Sequence, residues 1–218
     1  MKNAKSEMKK LLGDYTIEQA QEQWNLYNTL QYCKSTVDYS WSQSMDYLYK
    51  NDFINDDNCL NRKGVIASHM CDGHPLVRAY ILDHVDCNLS IEILASWLAL
   101  FAGGPPIKSY GLEIPKELQY IVKESCGATE YYYEENLDKG IAYIMYDWMI
   151  HRDVKRILQF TNLSSFGSFI KVVLRVSSFI EETKTILLGL EKYEEYNKLE
   201  NYEEKLFYGI VSNDSIHV

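Results

Sequence analysis

The sequence predicts an all-α protein: a helical bundle with a short extended or hairpin-like piece near residues 53–66. Apolar residues recur every three or four positions in most segments, and the alternation that marks strands is nearly absent. Hydrophobic residues make up 46% of the chain and charged residues 24%, a composition typical of a folded globular protein. A chain of 218 residues is also long enough to bury a full core.

The N-terminal part is predicted to contain two helices in succession. Residues 17–34 are rich in Glu and Gln and carry apolar residues on one helical face, and residues 38–49 repeat that spacing. We therefore divide the chain into an N-terminal helical lead-in segment, residues 1–37, and a helical-bundle domain, residues 38–218. The polar run 51–61 is predicted to turn the chain between them and the next helices.

The middle of the chain predicts two apolar helices followed by an irregular region. Residues 76–85 and 90–102 have helical spacing, and Ser90 with Glu92 is a typical start signal for the second of them. Residues 103–133 are predicted to form a loop that holds one short helix, residues 115–123, with a proline in its first turn.

The C-terminal part predicts four helices. Residues 136–150 are amphipathic, residues 153–160 form a short helix, and residues 165–190 form a long one. A last helix, residues 194–210, is apolar on one face and closes the domain.

Charge and hydropathy exclude several classes of protein. A net charge of −9 argues against a protein that coats nucleic acid nonspecifically, because phosphate binding needs clustered cations. Residues 151–176, however, hold five Lys and Arg and a single acid, which favours a local contact with a polyanion. The most apolar stretch, residues 89–106, contains Glu92 and ends in Gly-Gly-Pro-Pro, so we expect a buried helix and no membrane association.

No motif for catalysis or for a cofactor is found. The phosphate-binding pattern G-x-x-x-x-G-K-[ST] is absent, as are G-x-G-x-x-G, G-x-S-x-G and H-E-x-x-H, so we assign no catalytic residue and expect no ATP hydrolysis by this chain. The five cysteines form no regular framework, and we expect free thiols in an intracellular compartment, nuclear or cytoplasmic. One cluster has residue types that bind zinc, but its spacing fits no standard finger, so we expect packing and no metal: His69, Cys71, His74, His84 and Cys87.

The long helix predicts a single polar ribbon on an otherwise apolar surface. At about 100° per residue, one narrow arc contains Ser168, Lys171, Arg175, Ser178 and Glu182. The alternatives are a solvated outer face and a ribbon that lines a channel, a groove or a partner. The width of the apolar surround favours the channel, because charges in a buried helix need partners.

Several stretches match one family in order and spacing. LNRKGVIASHM at residues 60–70 corresponds to an L-T-x-K-G-x-x-A start, and two helices joined by a short turn follow it. GSFIK at residues 167–171 corresponds to G-S-x-I-R, and the match extends to the last four residues. Over residues 38–218 the chain resembles the DSH C-terminal (DSHCT) domain of exosome-associated DExH-box superfamily-two RNA helicases.

This resemblance implies a function and a site. In the family the long helix, called the ratchet helix, lies under single-stranded RNA as it leaves two RecA-like motor lobes. The matching RNA-binding positions here are Arg175 and Ser178, with Lys171 and Ser168 on the same ribbon; Ser178 stands where the family usually has an acid. ATP and magnesium would bind motor domains outside these 218 residues, in cis on the same polypeptide or in trans on another one. An exosome or an adaptor protein is a further expected partner.

Two other functions stay open at this stage. A stand-alone module without a motor would use the same surface to bind RNA or a protein, so whether the chain is part of an enzyme is undecided. A purely structural bundle would carry the ribbon as a solvated face, and its loss would change nothing.

Overall fold

The fold is all α-helical, as predicted. A computed structural model describes residues 16–104, 111–133, 135–160 and 163–209. The helices are, in chain order, α1 Ile17–Lys50, α2 Arg62–Ser68, α3 Pro75–His84, α4 Ile91–Ala99, α5 Lys116–Tyr133, α6 Lys139–His151, α7 Val154–Phe160, α8 Leu163–Gly189, α9 Tyr193–Lys198 and α10 Tyr202–Leu206. Within the described ranges, no helix combines the length and apolarity needed to cross a membrane.

The chain divides into two compact units, residues 1–59 and 60–218. The first contains α1, which starts at a capping box: Thr16 and Gln19 each accept a hydrogen bond from the other's backbone N–H. The predicted boundary between residues 37 and 38 falls inside α1 and stays a prediction.

The predicted break inside α1 is wrong, since α1 continues through residues 35–37. The hydroxyls of Ser35 and Thr36 both donate to the carbonyl of Tyr32, at 2.9 and 2.8 Å. Because these hydroxyls donate to a carbonyl of the preceding helical turn, they do not draw the backbone out of the helical conformation.

The predicted hairpin-like piece is a tight loop followed by a helix. In the first unit, Asn55 donates its backbone N–H to the carbonyl of Cys59 at 2.9 Å, and its side-chain oxygen accepts from the N–H groups of Asp57 and Cys59. In the second unit the chain becomes helical at Arg62, because Asn61 caps α2 by accepting from the N–H of Gly64 at 3.0 Å.

The second unit is built around α4. Every residue from Ile93 to Ala99 is buried, and Ser90 caps the helix by accepting from the N–H of Ile93. Helices α5, α6 and α8 pack against α4, while α3 packs between α2 and α5. Burial of so apolar a helix on all sides supplies the hydrophobic driving force for this unit.

Two buried tryptophans connect helices of the second unit to one another. The indole N–H of Trp97 on α4 donates to Ser125 Oγ on α5 at 2.7 Å, and the indole N–H of Trp148 on α6 donates to the carbonyl of Leu206 on α10 at 2.9 Å. The ring of Trp148 also packs edge-on against Phe169 of α8.

Two predicted elements differ from the structure. Helix α5 reaches Tyr133, ten residues beyond the predicted end. The hydroxyls of the buried residues Ser125 and Thr129 donate hydrogen bonds to the carbonyls of Ile121 and Ser125, so these residues do not end the helix. These polar side chains interrupt the apolar periodicity from which the helix was predicted. The predicted last helix is divided into α9 and α10 at Asn201, whose φ of 58° is not helical.

The Trp97–Ser125 hydrogen bond yields a test of this core. Ser125→Ala leaves the buried indole N–H without an acceptor, and we expect the free energy of unfolding to fall by about 1–3 kcal/mol. Ser178→Ala is the matched control, since Ser178 is exposed on a helix, and we expect a change below about 0.5 kcal/mol. Urea unfolding followed by circular dichroism measures both, and equal stability of the two variants would contradict the assigned role of Ser125.

Candidate nucleic-acid interface

Helix α8 is buried on most of its circumference and exposed along one ribbon. Lys171, Arg175 and Ser178 are exposed, as is Leu174 between them, which is 48% exposed. The buried residues form the opposite faces: Phe169, Val172, Val173, Val176, Phe179, Ile180, Thr183, Ile186 and Leu187. The predicted pattern of burial therefore holds for three of the ribbon residues, and Leu174 adds an apolar side chain to them.

The two ends of the ribbon are less accessible. Ser168 is half-buried at the N-terminal end, and Glu182 at the C-terminal end is directed toward α3. In the described part of the chain, the exposed ribbon is not enclosed in a channel. The predicted RNA contacts of Ser168, Lys171, Arg175 and Ser178 stay predictions.

Arg175 is held from two sides by loops that precede and follow the core helices. Its guanidinium forms an ion pair with Asp72, and its Nη1 donates to the carbonyl of Ala102 at 3.0 Å. The guanidinium carbon also lies 5.7 Å from the centre of the Phe179 ring. Its side chain remains 42% exposed, so part of it is accessible to a ligand.

The loop that carries Asp72 is pressed against α8. Gly73 has a φ of +68°, and a Cβ atom placed on it would lie 2.6 Å from Cζ of Phe179. Only glycine fits this conformation and this close approach. The backbone N–H of Gly73, and after it the Arg175 guanidinium, hold the pKa of Asp72 below its usual value, so the carboxylate is ionised at neutral pH.

Arg78 of α3 lies beneath this loop and is fully buried. Its Nη1 donates to the carbonyl of Asp72 and to Oε2 of Glu182, both at 3.0 Å, and its guanidinium carbon lies 4.2 Å from the centre of the Phe179 ring. Burial lowers the pKa of Arg78, while the carboxylates of Glu182 and Asp72 oppose that effect. Arg78 thus connects α3, the 72–73 loop and α8.

Sequence reasoning did not identify Asp72 or Arg78 as part of this site. The signals were present: Asp-Gly at 72–73 is a turn dipeptide, and Arg78 is the one charged residue in the run PLVRAYIL. A charged residue inside an apolar helical run needs a buried partner. The partner, Glu182, is 104 residues away, which no local pattern reveals.

The predicted zinc-type cluster does not converge in the described residues, where no group of three or more metal-binding side chains forms. His69 Nδ1 contacts the carbonyl of Val65 at 2.9 Å, and His74 Nε2 contacts Oε2 of Glu135 at 3.0 Å. Cys87 is buried. That the chain holds no metal stays a prediction.

A second polar feature is a cleft of about 410 Å³ beside α6 and α7. Its buried carboxylate, Asp147, accepts two hydrogen bonds from Nε of Arg156, at 2.9 and 2.7 Å, and lies 3.6 Å from Nε2 of His151. Arg156 belongs to the predicted basic strip of residues 151–176, and Asp147 neutralises it. The strip is therefore less positive than its sequence suggests, and Lys171 and Arg175 are the cations on the α8 ribbon.

Comparison with known proteins identifies no family for this chain. A scan against models of known protein families gave no match, and a search of curated proteins found no similar sequence.

The Arg78–Glu182 pair yields a second prediction. Glu182→Ala leaves the buried guanidinium without its charged partner, and we expect unfolding free energy to fall by about 2–4 kcal/mol. Glu181→Ala is the matched control, because Glu181 is 52% exposed and forms a 3.0 Å ion pair with Lys184; we expect a loss below about 1 kcal/mol. Thermal and urea unfolding compare the two. A loss for Glu182→Ala no larger than for Glu181→Ala would remove the structural role given to Arg78.

Proposed function

We propose that residues 38–218 act as the helical ratchet domain of an ATP-dependent DExH-box RNA helicase and contact single-stranded RNA during unwinding and RNA processing or decay. The observation that carries the proposal is the exposed ribbon of α8, on which Lys171 and Arg175 flank an apolar side chain, Leu174. Such a surface offers cations for phosphates and flat or apolar groups for bases, which is the combination that single-strand binding uses.

The immobilised guanidinium of Arg175 supports this proposal. Its hydrogen bond to the carbonyl of Ala102 orients the planar group, so it loses less conformational entropy when a base stacks on it. Lys171 ends in a flexible ammonium and acts as a point charge on a phosphate. The ribbon would thus hold successive nucleotides while motor lobes on another chain or segment change conformation with ATP.

The motor itself is part of the proposal and would be supplied in cis or in trans, with ATP and magnesium bound there. The resemblance in residues 38–218 suggests the DSHCT domain, and exosome or adaptor partners follow from the same resemblance. A stand-alone RNA- or protein-binding module is the alternative. Motor motifs encoded in frame with this sequence would favour the helicase, and ribbon-dependent RNA binding without any motor partner would favour the module.

The third prediction tests the ribbon with a fluorescent single-stranded RNA at low salt. With a net charge of −9, binding should be weak, micromolar or weaker, and should weaken further as salt rises. Arg175→Ala should lose about 1–3 kcal/mol of binding free energy if the guanidinium stacks on a base. Lys171→Ala should lose less and show a shallower salt dependence, and Ser178→Ala should be nearly silent.

Arg62→Ala is the matched control for Arg175→Ala. Both arginines are 42% exposed and both are ion-paired with an aspartate, but Arg62 pairs with Asp86 away from the ribbon. Circular dichroism must show all variants equally helical. Equal RNA affinity for the parent and the Lys171→Ala/Arg175→Ala double variant would remove the RNA-binding role and leave a scaffold.

The fourth prediction concerns Asp72. Asp72→Asn removes a carboxylate next to the proposed phosphate path and releases Arg175, so we expect RNA to bind about two- to fivefold more tightly at low salt, as one fewer like charge allows. Asp86→Asn is the control, because Asp86 is 63% exposed, Asp72 is 62% exposed, and both are ion-paired. Weaker binding by Asp72→Asn would mean that the ion pair positions Arg175 and does not compete with RNA.

A further inference from the structure

Helix α1 carries an exposed apolar stripe. At about 100° per residue, the residues of the stripe fall within an arc of about 80°. They are Leu26, Leu30, Cys33, Val37, Trp41, Ser44 and Leu48, of which Leu48 is half-buried and the other six are exposed. Leu26, Leu30, Val37 and Trp41 are 62–69% exposed, so the stripe has large hydrophobic groups in contact with water.

An exposed stripe of this length is unusual for a helix that needs no partner. Most of the stability of a helix in a protein comes from packing of its apolar face, and a contiguous exposed patch marks an interaction surface. Ser44 does not oppose burial of the stripe, because its hydroxyl already donates to the carbonyl of Ser40 at 2.8 Å.

The spacing of the stripe is symmetric about Val37. The steps between successive members are four, three, four, four, three and four residues, which read the same in both directions. Each half, from Leu26 to Val37 and from Val37 to Leu48, is one eleven-residue repeat, which keeps the stripe nearly parallel to the axis of a straight helix. A second copy of the helix that runs in the opposite direction therefore meets the stripe member for member, with Val37 against Val37.

Charge on the flank of the stripe also fits a second copy. Lys34 and Asp38 are exposed on one flank. In an antiparallel pair centred on Val37, the same flanks face each other, and Lys34 of one chain comes within about one helical turn of Asp38 of the other, twice by symmetry. In a parallel pair this flank would face the other flank of the second helix, so the charges of Lys34 and Asp38 would not meet.

We infer that α1 is a self-association surface on which two copies of this chain pair antiparallel, with Val37 against Val37 at the twofold axis. Leu26 then packs against Leu48 of the second copy, Leu30 against Ser44, and Cys33 against Trp41. This inference concerns residues 16–59 alone and does not depend on RNA binding.

Disulfide trapping tests the register. Helix axes about 8–10 Å apart place facing Cα atoms about 5 Å apart, within disulfide range. In a background of Cys33→Ser, Cys59→Ser and Cys71→Ser, the added Val37→Cys should form a covalent dimer on mild oxidation. With Cys33 retained and Val37 unchanged, cross-linking should be far weaker, because the two Cys33 residues lie about 12 Å apart along the axis.

Sedimentation measures association without cross-linking. The parent should approach twice the mass of one chain as concentration rises, and Val37→Glu should abolish this, since two carboxylates would face each other at the axis. Tyr39→Glu is the matched control: Tyr39 is 64% exposed, Val37 is 65% exposed, and Tyr39 lies on the opposite face of α1, so its variant should associate like the parent. Circular dichroism verifies that both variants are helical.

Three results would overturn the inference. The first is a parent that stays monomeric at all concentrations and yields no Val37→Cys disulfide, in which case the stripe belongs to another chain or segment. The second is Cys33 that cross-links better than Val37→Cys, which indicates parallel pairing. The third is equal loss of association in Val37→Glu and Tyr39→Glu, which places the contact elsewhere on α1.

Discussion

A guanidinium that is fully removed from water has to be held by the groups around it, and Arg78 is held by three such groups. The carbonyl of Asp72 and the carboxylate of Glu182 accept its hydrogen bonds, and the Phe179 ring covers it. Because these groups belong to a loop and to the long helix α8, one cation sets where the loop meets the helix. The position of Asp72, and through it the orientation of Arg175, follows from that burial. The exposed ribbon is thus supported by a charge that no ligand can reach.

The electrostatics of the second unit explain how an acidic chain can still present a usable cationic surface. Asp147 neutralises Arg156, and Asp72 pairs with Arg175, so few positive charges remain uncompensated. An incoming phosphate would have to displace Asp72 from Arg175 or share the Arg175 guanidinium with it. Weak and reversible contacts of this kind suit a strand that has to move past the helix, whereas a dense basic patch would hold the strand in place.

The elements with strong apolar periodicity were predictable from sequence, and α4 and α8 lie within a few residues of their expected bounds. The errors occurred where polar side chains bond back to their own helix, as Ser35 and Thr36 do in α1 and Ser125 and Thr129 do in α5, because such residues are normally signs of a turn. The exposed residues Lys171, Arg175 and Ser178 follow from helical geometry alone. Asp72 and Arg78 could not be placed, since their partners are about 100 residues distant in sequence.

The four tryptophans fall into two pairs with opposite surroundings. Trp97 and Trp148 are fully buried in the second unit with their indole N–H groups bonded, whereas Trp24 and Trp41 of α1 are 63% and 67% exposed. Buried indoles emit at shorter wavelengths than hydrated ones, so the intrinsic fluorescence spectrum is a sum of a blue and a red component that belong to different units. Collisional quenchers such as iodide reach only the red component. The protein therefore carries its own optical labels, and melting of the second unit and changes at α1 can be observed separately in one unmodified sample.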